Sequence, residues 1–148
     1  MAHELFDRIE PNPLRETVNA GGWMARTHDC DFVLALGGGS VMDCAKCIAL
    51  MMTNDGHIWD YSLSEKGGKK QPASDAAPTV AITTSAGTGS EVDMASVISK
   101  DDVQEKTGIF FPSMFPVLAV VDANLMMSVP PKFTAYQGMD AFFHAAES

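Results

Sequence analysis

Apolar and polar positions alternate along the chain in blocks, and several apolar blocks end in glycine or small polar residues. Asp31-Phe-Val-Leu-Ala-Leu36 is a short continuous apolar run bounded by Asp31 and Gly37-Gly38-Gly39, the pattern of a buried parallel strand. Thr79–Thr84 predicts a second strand, and Val117–Val121, closed by Asp122, a third buried one. A helix is expected from about Leu14 to Thr27, with Leu14, Val18 and Trp23 on its apolar side, although Gly21-Gly22 weakens it. Ser40 reads as the cap of a helix over 41–52, with Asp43 completing a capping box. Met94–Ser99 and Lys106–Phe111 flank the polar turn Lys100–Glu105 as a β-hairpin, and residues 53–78 form a long loop. Thr134 begins a last helix. Strands alternating with helices give an α/β fold with a partly parallel sheet.

Composition narrows the class without choosing a function. The chain has 148 residues, 46% hydrophobic and 20% charged, which suits one globular domain rather than a disordered segment. Its formal net charge is −9, with no basic cluster, so neither nucleic acid nor an anionic membrane is expected as a partner. Three cysteines make no disulfide framework and point to a reducing compartment. The first residues carry no signal-peptide pattern and no apolar run is long enough to span a bilayer, so the expected location is the cytoplasm.

Three constellations carry chemistry. Glycines at 37–39 bring backbone within reach of a ligand. The free N–H groups of the following helix favour an anion such as phosphate. The spacing is neither G-x-G-x-x-G nor a P-loop, and a plain tight turn explains it equally well. The run Thr83-Thr84-Ser85-Ala86-Gly87-Thr88-Gly89-Ser90-Glu91 follows a second strand, and two loops at strand C-terminal ends would face one crevice. Asp140 and His144, at i and i+4, share a helix face and can each give one bond to a divalent metal, or simply hydrogen-bond each other. Cys44 and Cys47 read as buried and inert, the residues between them as packing, and His3, His28 and His57 as surface residues. No Ser/His/Asp triad can be placed.

In order, these stretches closely resemble the iron-containing (group III) alcohol dehydrogenases, in particular their butanol-dehydrogenase-like members. The matching segments are Glu10-Pro-Asn-Pro13, Gly37-Gly-Gly-Ser-Val-Met-Asp-Cys-Ala-Lys46, Pro78 to Glu91, Val120-Val-Asp122, Val129-Pro130 and Thr134-Ala-Tyr-Gln-Gly-Met-Asp-Ala-Phe-Phe-His144. The resemblance implies a Rossmann-like nucleotide-binding domain of dehydroquinate-synthase-like architecture, followed by an all-helical domain. It implies hydride transfer between NAD or NADP and a small primary alcohol or aldehyde, with Fe(II) or Zn polarising the substrate oxygen. Carried over, Gly38, Gly39 and Ser40 would bind the pyrophosphate and Asn12 would lie near the cofactor. Thr83, Thr84 and Thr88 would line the adenine and ribose side, Lys106 would reach the ribose, and Asp140 and His144 would be metal ligands. Family members are considerably longer. The expectation is therefore a fragment: residues 1–131 as part of the nucleotide domain and 132–148 as the start of the helical domain. Such a chain would be inactive alone, or would serve as a non-catalytic nucleotide-binding or assembly module. An unpaired sheet edge and the exposed Phe142 and Phe143 would favour a homo-oligomer.

Overall fold

A computed structural model describes residues 2–147. Along the chain run α1 (Arg15–Thr27), β1 (Val33–Gly37), α2 (Gly39–Thr53), β2 (Thr79–Thr83), β3 (Ala95–Lys100), β4 (Glu105–Phe110), β5 (Leu118–Val121) and α3 (Pro131–Glu147), joined by loops and short 3-10 turns. The three apolar runs form one parallel sheet in the order β1-β2-β5, and β3 and β4 form the expected antiparallel hairpin.

Register explains how the sheet meets α2. Ala35, Ala81 and Ala119 align as one row across the three strands. A row of small side chains lets α2 lie close, and Ala35 and Ala81 pack with Met42 and Ala45 of that helix. The neighbouring rows, Leu34–Val80–Leu118 and Leu36–Ile82–Val120, point to the opposite face. That face is open: Leu34, Leu36, Leu118 and Val120 are 54, 57, 54 and 37% exposed. The run at 31–36 is therefore buried on one side only, and the run at 117–121 is largely open on both, with Val117 and Val121 69 and 64% exposed, contrary to the expectation of buried strands. A continuous apolar run reports a strand that can be covered on both faces, and here α2 covers one face of β1 and β2.

The main core lies on the far side of α2. Every residue of α2 from Cys44 to Met51 is buried. Val18 of α1, Ile98 and Ile109 of the hairpin, and Ile58, Trp59, Tyr61, Phe111 and Met114 from connecting segments close around it. The glycines that weaken α1 are what allow the helices to meet. A Cβ on Gly21 would collide with Ile48, and one on Gly22 would stand 2.7 Å from the Cβ of Met51. Trp23 lies off this contact and is 71% exposed, so it is not on the apolar side. The long loop, 54–78, is anchored to the core near its two ends, while most of residues 65–75 are exposed. Asn54 hydrogen-bonds Leu50 O, Ser74 O and the amides of Ala73 and Ser74, and the turn Ile58–Tyr61 enters the core.

Residues 10–14 lie along the hairpin, where the amide of Ser99 donates to Pro13 O at 2.9 Å. Glu10 then braces the start of α1: its Oε1 accepts from the Leu14 amide and the Thr17 hydroxyl, both at 2.7 Å. This fixes Asn12, whose positive φ of 58° turns the chain beside the start of α2.

Candidate functional site

The carboxyl ends of β1 and β2 are level, because Gly37 pairs with Thr83, and the Thr84 amide donates to Gly37 O at 3.0 Å. The two small-residue loops leave the sheet from that line and pack on each other. A Cβ on Gly38 would stand 3.1 Å from Ser85 Oγ, and one on Gly39 3.0 Å from Thr88 Cγ2. Glycine is therefore used here for close approach. Gly89, with φ of +65°, supplies the left-handed turn that sends the second loop into Ser90–Val92.

The helix after the glycines starts differently from the capping expectation. Gly38 occupies the cap position with extended backbone and no side-chain cap. Ser40 lies one residue inside the helix, and its Oγ accepts from the Asn12 amide at 3.2 Å. Asp43 does not reach back to the helix start. Its Oδ1 takes the Ser90 hydroxyl at 2.7 Å and its Oδ2 the Val97 amide at 3.0 Å. A long-range partner has displaced the local one.

Three expected cofactor residues gather at one place. Lys106 Nζ donates to Asn12 Oδ1 at 2.7 Å, and Asn12 bonds Ser40, so the hairpin, the Glu-Pro-Asn-Pro segment and α2 converge. An open groove of about 460 Å³ lies there, lined by Glu10, Asn12, Ser99, Asp101 and Lys106 among others. Thr88 and Thr84 are half-buried in the second loop. Thr83 faces inward: it is 1% exposed, and its hydroxyl donates to Ser85 O at 2.7 Å. In this structure it shapes the loop rather than lining an open crevice.

Asp140 and His144 stand on one face of α3 as expected, Nε2 to Oδ1 3.6 Å apart and both solvent-open. A carboxylate beside an imidazole suits a borderline divalent metal. Among the described residues no group of three or more His, Cys, Asp or Glu could hold one, so the pair by itself offers two potential donors. The helix touches the second small-residue loop through Gln137, whose Oε1 accepts from the Ala86 amide at 3.4 Å and whose carbonyl lies against Gly87.

Lys46, expected from its helical position to serve packing, has a polar role in the structure. It is wholly buried, and its Nζ donates to Ser90 O, Ser90 Oγ and Asp93 Oδ1 at 2.9, 2.8 and 2.8 Å. Burial pushes the Asp43 carboxyl above its ordinary pKa, although the Val97 amide, Ser90 and Lys46 pull the other way. Two charges on an otherwise apolar stretch, Met42 to Met51, were the available signal. Cys44 and Cys47 are buried as expected, and burial pushes the Cys44 thiol up to about 12 and Cys47 higher still. His3, His28 and His57 are exposed.

No helix among the described residues is long and apolar enough to cross a membrane. Comparison with known proteins supplies the rest. The family model described as "Iron-containing alcohol dehydrogenase" matches residues 1–123. Alcohol dehydrogenase 4 of Schizosaccharomyces pombe is 40% identical over 97% of this chain and 33% of its own length. A probable NADH-dependent butanol dehydrogenase 1 of Bacillus subtilis is 39% identical over 98% of this chain and 36% of its own. The crystal structure of sulfoacetaldehyde reductase from Bifidobacterium kashiwanohense in complex with NAD+ superposes with a TM-score of 0.86 at 39% identity, covering 93% of this chain and 36% of that one. The chain thus spans about a third of the length of the curated relatives it matches. With a fold that superposes on such enzymes and a family model that accounts for most of its residues, the chain belongs to the iron-containing alcohol dehydrogenase family.

Proposed function

We propose that this chain supplies the pyrophosphate cradle and the first two metal donors of an NAD(P)-dependent alcohol dehydrogenase, acting on a small primary alcohol or aldehyde. The observation that carries the proposal is the meeting of two loops at level strand ends. Gly38 and Gly39 face Ser85 and Thr88 at the N-terminus of a 15-residue helix. Helix-terminal N–H groups and hydroxyls there suit a dinucleotide's phosphates, and glycine leaves room for backbone to touch them. Asn12, Ser40 and Lys106 extend the polar surface towards a ribose. Thr84 and Thr88 border it, and Thr83 sets the loop's shape from below. The acidic chain carries its local cation, Lys106, where an anionic ligand needs it. By family, NAD or NADP and Fe(II) or Zn are the expected cofactors. A metal bound at Asp140 and His144 would supply Lewis-acid polarisation of the substrate oxygen. The two residues would hold and orient it from one helix face. On the same reading, residues 1–131 act as nucleotide domain and 132–148 as the start of the metal-binding one.

Isothermal titration of the 148-residue chain with NAD(H) and NADP(H), beside a metal assay, tests the proposal. Saturable dinucleotide binding is expected, with no turnover of butanol or propanediol in Fe(II) or Zn(II), because a catalytic metal site keeps about three protein ligands. Absence of binding by all four dinucleotides contradicts the cradle. Turnover abolished by His144→Ala contradicts the incomplete metal site.

A further inference from the structure

Gly39, Asp43 and Lys46 occupy positions i, i+4 and i+7 of α2 and so share one helix face. That face meets residues 88–97. Gly39 lies against Thr88, Asp43 takes the Ser90 hydroxyl and the Val97 amide, and Lys46 reaches Ser90 and Asp93. The Asp93 Oδ1 also accepts from the Ala95 amide at 2.8 Å, and the Thr88 hydroxyl accepts from the Ser90 amide at 3.4 Å. The second loop is thus held from both sides of Ser90. A fully buried ammonium is costly unless its protons are met, and an apolar side chain of similar length would fill the same space without that cost. Packing alone does not account for a lysine here. Its acceptors all belong to the segment whose near end, Thr88, closes over the cradle.

We infer that Lys46 is a positioning residue: acting through Ser90 and Asp93, it fixes the 86–93 loop so that Thr88 stands over Gly39 before any dinucleotide arrives. The affinity consequence rests on the nucleotide reading above, and the ordering of the loop does not. A preformed cradle binds more tightly because less order is lost on association.

The test uses hydrogen exchange and NADH titration on the 148-residue chain and on Lys46→Met, Asp93→Ala and Asp93→Asn. Asp93 is 43% exposed at its side chain, so its variants spare the core if Lys46→Met fails to fold. In Lys46→Met and Asp93→Ala, peptides covering 86–93 should exchange about tenfold faster while β1 and β2 keep their protection. Asp93→Asn retains the accepting oxygen and should stay close to wild type. The NADH dissociation constant should rise about tenfold in Asp93→Ala and be restored in Asp93→Asn. Unchanged exchange over 86–93, or acceleration spread evenly through the chain, overturns the positioning role. A wild-type chain that does not bind NADH overturns the nucleotide reading, while the exchange pattern still decides the role of Lys46.

Discussion

Gly39 and Thr88, 49 positions apart in sequence, face each other so closely that a Cβ added to Gly39 would stand 3.0 Å from the Cγ2 of Thr88. The relationship follows from register. Gly37 and Thr83 are paired, so the residues that leave each strand emerge side by side. The contact joins the start of α2 to the loop after β2, and the geometry of the candidate site depends on it.

The second glycine contact, between α1 and α2, concerns stability. A methyl group at position 22 would stand 2.7 Å from the Cβ of Met51, an atom that no rotamer change can move. Gly22→Ala should therefore destabilise the fold by about 1–3 kcal/mol from overpacking, despite a helix-propensity gain of about 1 kcal/mol. At Gly21 the neighbour is the flexible end of Ile48, so Gly21→Ala should cost less. Thermal melts of the two variants check the order.

Glu10 makes α1 pH-sensitive. Burial alone would raise its carboxyl pKa, but hydrogen bonds from Thr17 and Leu14 outweigh this and hold it below its ordinary 4.5. A carboxyl lower in the folded state contributes stability above its unfolded pKa and loses it as pH falls through the folded value. Glu10→Ala should cost about 1 kcal/mol near neutral pH, as loss of hydrogen bonds to a carboxylate does. The difference in melting temperature from wild type should shrink as pH is lowered from 4.5. A difference that is constant with pH contradicts this role of the Glu10 carboxylate.

The cysteines should separate by burial. Cys44 and Cys47 are enclosed with raised pKa values, whereas Cys30 is half-buried. A thiol reagent at pH 8 should modify Cys30 first in the native chain and all three only in denaturant. Rapid native modification of Cys44 would show that α2 opens readily.

The uncovered sheet face should drive self-association. Leu36, Ile82 and Val120 form a continuous row across it, and β1 pairs with one strand among the described residues. Light scattering after size exclusion should show species larger than a monomer at roughly tens of micromolar, with Leu36→Lys shifting the distribution towards monomer. A monomeric wild type contradicts this.

Much of this was legible in the sequence because it is local. An apolar run ending in glycine located β1, an apolar run leading into a Ser/Thr/Gly loop located β2, and the polar turn at 100–105 located the hairpin. What escaped depends on distant partners. Ser40 looks like a cap until Asn12, 28 positions away, claims its hydroxyl. Asp43 looks like half of a capping box until Ser90 and Val97 draw it elsewhere. Lys46 looks like packing until its ammonium meets residues 44 and 47 positions on. Leu34 and Leu118 read as buried because a strand's own pattern cannot reveal which of its faces will be covered. The site residues divide in the same way: Asn12, Ser40 and Lys106 come together, whereas Thr83 belongs to the loop's support.

The central claim, an anion cradle at residues 37–40 roofed by Thr88, is tested most directly by titrating NADH into the wild-type chain and into Gly39→Asp, with melts to establish that both are folded. Aspartate at 39 would put a Cβ against Thr88 and a negative charge where the phosphates should sit. Wild type is expected to bind saturably and Gly39→Asp to lose at least about tenfold in affinity, since like-charge repulsion and lost contact act together. An unchanged dissociation constant in a folded Gly39→Asp variant would contradict the cradle.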